Sequence, residues 1–470
     1  MIALLRGTRC AGAFLGVALL VGGCVVAPTY ERATTPLSPT FKEAEGWVAA
    51  TPADTLPRGP WWTLFDDPTL TALEVQVESA NQTVAAAIAA YEQARALVRE
   101  QRAGLFPAVT LDGGASRNRS AGVSRSSYQV SIGGSWEPDL FGRLKETVTA
   151  ASASAQASAA DLAAARLAAQ GELAANYFNL RALDAQRDLL ATTITSYTRN
   201  LQINQNRYDQ GIIPRTDVLQ AKTQLANSQA DLVGLESQRA QLEHAIAVLI
   251  GEAPGNFTLP VAAWQEQVPA VPPAVPSVLL QRRPDIAAAE RRMAAANAQI
   301  GIARSAFYPS FNLNGSLGQG GARLADLFSA SGTLWSLGVQ VAQTLFDAGA
   351  RKARVAGAEA AYEAALARYR ATALAALQDV ENQLVATRVL REQEALRREA
   401  SVAADQVEQQ VLNRYRAGLV NYTEVVTAQA TALTARRNLV QLMAARQATA
   451  VALIQALGGG WQDSDLPGAP

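Results

Sequence analysis

Few residues in this chain could carry covalent or metal chemistry. Among 470 residues there is one histidine, His244, and there are two cysteines, Cys10 and Cys24. A metal site needs several nitrogen, sulfur or carboxylate ligands, and an activated nucleophile needs a base beside it. A lone imidazole in a leucine- and alanine-rich stretch offers neither, so His244 reads as structural. The adjacent acids Asp66 and Asp67 could do acid–base work, but Asp67 precedes Pro68, the pattern of a helix cap followed by proline at the first helical position. The expectation is no catalytic residue, no metal and no cofactor. What recurs instead is a turn. RYDQG starts at Arg207 and RYRAG at Arg414, so that Gly211 and Gly418 lie 207 positions apart (418 − 211), as do Gly251 and Gly458 (458 − 251). Arg207, Tyr208 and Gly211, with Arg414, Tyr415 and Gly418, offer cations, phenols and flexible turns, which suit recognition and not catalysis.

The formal charge is zero. Nothing in the bulk composition implies a general attraction to nucleic acid or anionic lipid. At the N-terminus Arg6 and Arg9 precede AGAFLGVALLVGG, thirteen apolar or small residues that stop at Cys24. That length suits a signal-peptide core and is too short to span a bilayer as a helix. VGGC resembles a bacterial lipobox, which makes residues 1–23 a signal peptide, Cys24 the lipidation site, and 24–66 a lipid-anchored segment. Removal of Cys10 with the signal would leave no free thiol and no possible disulfide.

The elements around the repeated turns occur twice. Residues 67–251 form one repeat and 279–459 a second, joined by a connector, 252–278, that holds Pro254, Pro260, Pro269, Pro272, Pro273 and Pro276; 460–470 is a tail. In the first repeat Leu70, Leu73, Val77, Ala80, Val84, Ala87, Tyr91, Ala94 and Val98 follow a 3.5-residue period, which predicts one continuous supercoiling helix. Period two then takes over between 108 and 138, through Val109, Leu111, Gly113 and Ala115, then Tyr128, Val130, Ile132, Gly134 and Trp136. In the second repeat a helix opens at Arg283-Pro284-Asp285, and alternation between 310 and 346 runs through Phe311, Leu313, Gly315 and Leu317, then Trp335, Leu337, Val339 and Val341. Segments of about ten residues match tilted transmembrane strands. Phe106, Trp136, Phe141, Phe307, Tyr308 and Phe346 gather at the helix-side ends as an interfacial girdle would.

Each strand pair gives way to a helix without proline, from Leu144 to Gln210 and from Ala358 to Ala417. Sixty-odd residues at 1.5 Å each reach about 90–100 Å. The repeated turns close these helices, and return helices follow at once, so Gly211 and Gly418 are read as hairpin tips. The fold class is α plus transmembrane β. Four strands cannot close a barrel, and an open edge in lipid leaves backbone groups unsatisfied. The chain must therefore share a barrel with its own copies. Ser116, Asn118, Gln129, Ser131, Asn312 and Asn314 are the candidates for a wet inner face.

WWTLFDDPTLTALE, SWEPDLFGRLK, LLQRRPDIAAAERRMAAANAQIGIARSAFYPSFNLNGSLG and QTLFDAGARKARV resemble, in order and spacing, the NodT-type, OprM-like branch of TolC-family outer-membrane efflux proteins. The resemblance covers nearly the whole chain. It implies a homotrimer whose four strands per subunit make a twelve-stranded barrel, continued by a long α-helical barrel through the periplasm. It also implies a passive conduit in a tripartite pump, with an inner-membrane RND-type transporter and a periplasmic adaptor at the hairpin tips, for drugs or other small molecules. Val25 after the cysteine, by analogy with enterobacterial lipoproteins, points to the outer membrane. In such relatives a leucine, an aspartate and an arginine constrict the entrance. Thr423, Thr427 and Ala430 stand at the corresponding positions here. Asp217 and Glu424 are acidic but fall at a neighbouring helical position; with Thr423 and Thr427 they are the entrance candidates. Metal efflux and type I protein secretion are the alternative cargoes. A structural envelope lipoprotein and a periplasmic enzyme are the rival classes.

Overall fold

The computed structural model describes residues 27–34, 41–43, 60–269, 271, 282–461 and 465–466. The expected signal peptide, Cys10 and Cys24 lie outside the described residues. Asp67 does cap: its Oδ1 accepts the N–H groups of Thr69 and Leu70 at 2.8 and 3.0 Å, starting α1, Pro68–Ala80. The continuous helix predicted through Val98 is not formed. Asn81 is extended and caps a new helix, α2, Gln82–Ala103, accepting from Thr83 and Val84 while its Nδ2 donates to the Leu249 carbonyl at 2.8 Å. An asparagine side chain can replace the helical partner of a backbone N–H, which is why the break falls there. The hydrophobic seam survives it, since Leu70, Leu73, Val77, Val84 and Val98 are all buried.

Strands β1 (Ala108–Ser120) and β2 (Val123–Trp136) meet at Ala121-Gly122, both at positive φ as a two-residue hairpin turn requires. Then come α3 (Arg143–Asp209, 67 residues) and α4 (Arg215–Leu249, 35 residues). The second repeat supplies α5 (Pro284–Ser305), β3 (Ser310–Gly321), β4 (Thr333–Ala342), α6 (Ala350–Arg416, 67 residues) and α7 (Tyr422–Ala456, 35 residues). The long helices are thus equal in length, each about 100 Å. Both begin on a left-handed glycine, Gly142 and Gly349, and an aspartate just upstream caps each. Asp139 accepts from the N–H groups of Leu144 and Lys145, and Asp347 from those of Gly349 and Arg351.

The strands form one antiparallel sheet in the order β1-β2-β3-β4, so the two repeats join through β2 and β3. Cross-strand partners share a face. Register pairs Leu111 with Ile132, Ile132 with Leu317, and Leu317 with Trp335, building one apolar face. The other face takes Gly114 opposite Gln129, Ser131 opposite Gly318, and Asn314 opposite Gly338. By the same alternation all six expected inner-face residues lie on that polar side. β1 and β4 are unpaired edges. At the junction with the helices, Trp136 Nε1 donates to the Leu105 carbonyl at 3.0 Å, and the Phe141 and Tyr308 rings stack at 4.8 Å.

Among the helices the main core gathers Leu173, Tyr177, Phe178, Leu180, Ile246 and Val380, and it is joined by Trp61, Trp62 and Phe65. The connector crosses this region extended. Buried Arg181 donates to the Pro260 carbonyl, while Arg239 donates to that of Leu259, and Glu243 accepts the Leu259 N–H. Asp184, also buried, bridges the two guanidiniums at 3.1 and 2.8 Å. On the other repeat, Gln447 donates to the carbonyls of Gln265 and Gln267 and accepts from Trp264 Nε1. No described helix is long and apolar enough to cross a membrane.

Candidate docking tips and channel wall

Both repeated turns fold identically. At the first, Gly211 has φ 71°, its N–H donates to the Tyr208 carbonyl at 2.8 Å, and the Ile212 N–H donates to that of Arg207 at 2.9 Å. At the second, Gly418 has φ 77°, with the matching bonds to Tyr415 and Arg414 at 3.0 and 2.9 Å. This is the Schellman arrangement, which satisfies carbonyls that end a helix and favours glycine at the left-handed position. Gly251 and Gly458 repeat it at the other end of the return helices. The two sets differ in space. A Cβ at Gly211 or Gly418 would meet nothing within 4 Å, whereas one at Gly251 would meet the Ala80 carbonyl oxygen at 2.3 Å, and one at Gly458 that of Arg282 at 1.9 Å.

The copies diverge in their side chains. Tyr415 is buried, and its hydroxyl donates to Asn204 Oδ1 at 2.9 Å; Tyr208, its counterpart, is exposed. The Arg207 guanidinium lies over the Tyr415 ring at 5.0 Å, and the Tyr415 and Tyr422 rings are 5.3 Å apart. One tip therefore leans on the other. Tyr422, Val425 and Ala221 complete this small core. Burial raises the Tyr415 phenol, with the Arg207 charge opposing and Asp217 adding to the rise; burial, then Tyr415, pushes Tyr422 up to about 12. Both phenols stay neutral at physiological pH. Arg207 and Arg414 each sit in the last helical turn, where a cation suits the dipole. Sequence reasoning missed the apolar residues that follow each glycine. Ile212 and Leu419 are 58% and 70% exposed at the two tips. The signal was available, since an apolar residue directly after the turn glycine occurs in both copies.

The entrance candidates fall into two places. Thr423, Glu424 and Thr427 face a groove between α6 and α7 with Ala404, Val407 and Thr431. Thr423 Oγ1 accepts from Gln220 Nε2 at 3.3 Å, tying α7 to α4, and Thr427 Oγ1 donates back to the Thr423 carbonyl. Glu424 is exposed, while Asp217 is half-buried in the first turn of α4, beside the tyrosines. Ala430 continues the threonine row toward Thr431 and Thr434. His244 is exposed on α4. Among the described residues no three His, Cys, Asp or Glu side chains are grouped to hold a metal ion.

The duplicated helix–hairpin–helical-hairpin plan, with its two open sheet edges, has counterparts among known proteins. The profile of the outer membrane efflux protein family matches residues 73–252 and 275–459. The chain belongs to the outer membrane efflux protein family. It is 30% identical over 458 residues to the outer membrane protein OprJ of Pseudomonas aeruginosa, covering 95% of each chain. It is 27% identical to the cation efflux system protein CusC of Escherichia coli, over 95% of this chain and 98% of that one. Among solved structures, the open state of the Neisseria gonorrhoeae MtrE outer membrane channel superposes with a TM-score of 0.85 at 27% identity, covering 94% of this chain and 99% of that one. The protein is accordingly an outer-membrane channel component of a tripartite efflux pump in a Gram-negative bacterium. Each subunit contributes four strands to a trimeric twelve-stranded barrel that a helical barrel continues. Channels of this family work with an adaptor and an inner-membrane transporter.

Proposed function

We propose that this channel is a passive conduit for drugs or other small molecules, without chemistry of its own, and that its adaptor docks at Arg207, Tyr208, Gly211, Arg414, Tyr415 and Gly418. The observation that carries the proposal is the twice-built Schellman tip, with an exposed apolar residue, Ile212 or Leu419, behind each glycine. Exposed apolar side chains presented on a hydrogen-bonded turn favour a protein partner over water. Tyr208 and Arg414 are exposed beside them, while Arg207 and Tyr415 hold the two tips together. Three subunits present six such tips. The inner-membrane partner supplies the energy and, being of the RND type, selects the cargo; relatives are named for toluene efflux (TtgC of Pseudomonas putida) and for cation efflux (CusC), so one channel fold serves unlike cargoes. Thr423, Glu424, Thr427 and Asp217 border the periplasmic entrance, with threonines where relatives of the OprM type place a charged constriction.

The lipid anchor belongs to the same reading. Ala27 packs directly over Gly301, whose added Cβ would lie 2.6 Å from it, and α5 ends at Ser305 before β3 begins at Ser310. Cys24 is three residues upstream, within about 10 Å of extended chain from Ala27. That reach is compatible with an acyl chain on Cys24 entering the inner leaflet beside the barrel, which supports the anchor.

The test is Gly211→Val with Gly418→Val. A β-branched residue is strained at positive φ, but nothing crowds either site, so the damage stays local. Crosslinking to the adaptor and drug export should both fall while trimer yield in the outer membrane stays near normal. Unchanged export and adaptor capture in the double variant would reduce the motif to a turn.

A further inference from the structure

The two ends of the sheet differ in chemistry. β1 and β2 stay paired up to Ser120 opposite Val123, but β2 pairs with β3 only from Tyr128 onward. Residues 116–127 therefore project past the four-stranded sheet as a two-stranded ribbon, at the end away from the helices. Its sequence, SRNRSAGVSRSS, holds Arg117, Arg119 and Arg125 and no acid. All three arginines are exposed, and none of their guanidiniums makes a hydrogen bond or ion pair among the described residues.

Register sorts them by face. Ala115 lies opposite Tyr128 on the apolar side, so Arg117 and Arg119, two and four residues on, continue that same column. Arg125 lies opposite Asn118, on the polar side. Along β1 the apolar face thus reads Val109, Leu111, Gly113, Ala115 and then two cations. Val109 to Arg117 is eight residues (117 − 109), about 27 Å of strand, and Arg119 is about 34 Å along. At a tilt of roughly 40° these become about 21 and 26 Å of height, against an apolar band about 25 Å tall. The pair comes out at the outer rim of the bilayer, facing lipid.

We infer that Arg117 and Arg119 bind the phosphate groups of glycolipid headgroups in the outer leaflet, so that each trimer wears a collar of six guanidiniums. Arginine forks match phosphate oxygens in paired, charge-assisted hydrogen bonds, and two on one face can hold a doubly phosphorylated headgroup. The side chains are long enough to keep their stems against lipid and their heads in the polar layer. A protein partner is disfavoured because the column below them is the lipid-facing wall. The inference rests on the outer-membrane channel reading.

The experiment is native mass spectrometry of the detergent-extracted trimer titrated with bis-phosphorylated lipid A and, separately, with its dephosphorylated form. Wild type should bind the phosphorylated form at least about tenfold more tightly, the scale of a few charge-assisted contacts. Arg117→Ser with Arg119→Ser should abolish that preference, while Arg125→Ser, on the opposite face, should keep it within about twofold. Equal binding of both lipids by wild type would overturn the inference without any variant being needed, and so would a preference that survives the double substitution. The same spectra give the subunit count, and conductance of the sample reports the channel. A conducting trimer with no phosphate preference sinks this inference and leaves the channel reading intact; a non-conducting monomer sinks the channel reading.

Discussion

Replacing Tyr415 by phenylalanine isolates the bond that holds the two tips of a subunit together. The ring would remain, so the stack beneath Arg207 and the contact with Tyr422 are kept. What is lost is the hydroxyl that donates to Asn204 Oδ1 at 2.9 Å. Asn204 is only 1% exposed, and its Nδ2 already has no partner. The substitution therefore strands a second atom of the same buried amide. An unsatisfied buried acceptor costs about 1–3 kcal/mol, which corresponds to a factor of roughly 5 to 150 in the equilibrium between docked and parted tips. Hydrogen exchange followed by mass spectrometry on the intact trimer reads this directly. Amides flanking Asn204, Gly211 and Gly418 should exchange faster by that factor, while those of the core around Leu173 and Ile246 should not change. Tyr208→Phe serves as the control, since the exposed Tyr208 makes no corresponding bond. Protection at both tips unchanged within about twofold in Tyr415→Phe would refute the claim that one tip is braced by the other.

The base glycines should behave unlike those of the tips. Gly251→Ala and Gly458→Ala drive a Cβ into backbone at 2.3 and 1.9 Å and should sharply lower trimer yield and melting temperature, whereas Gly211→Ala and Gly418→Ala should cost only about 1–2 kcal/mol of local strain each. Metabolic palmitate labelling should mark the wild type and not Cys24→Ala; equal labelling would remove the lipid anchor, and assembly of the variant should persist because the barrel holds the membrane by itself. Glu74 is fully buried with both carboxylate oxygens unpartnered, and burial, then the neighbouring Glu78 charge, pushes it up to about 9. A folded-state value above the unfolded one means that the contribution to stability is full below about pH 4.5 and is lost as pH rises toward 9, at up to about 1.4 kcal/mol per unit. Thermal unfolding of Glu74→Gln should lack that decline and exceed wild type near pH 8; parallel profiles would contradict it.

Much of this architecture was legible because its patterns are periodic and occur twice. Alternation in residues 108–136 and 310–342 marks strands whatever they pair with, and the long proline-free stretches can only be helices. The turns announced themselves through glycine, which the left-handed positions at 211 and 418 require. Features that depend on distant partners were not legible. The break at Asn81 needs the Leu249 carbonyl beside it, and an asparagine in a helical pattern does not by itself forecast one. The joining of β2 to β3 across the repeats is a tertiary fact that neither hairpin contains. The clamp of Arg181, Asp184, Arg239 and Glu243 on the connector assembles three stretches of chain, and only proximity reveals it. The unlike fates of Tyr208 and Tyr415 arise because two equal copies meet only at one shared site. A repeat predicts two tips; it does not say which tyrosine the contact will bury.

The central claim is that β1 of one subunit must close on β4 of the next, because each chain ends its sheet in two open edges. Native mass measurement of the detergent-extracted protein, paired with single-channel recording of the same sample in planar bilayers, tests this most directly. The account predicts three copies per particle and a steady ionic conductance from that species alone. A stable monomer that conducts ions would contradict it.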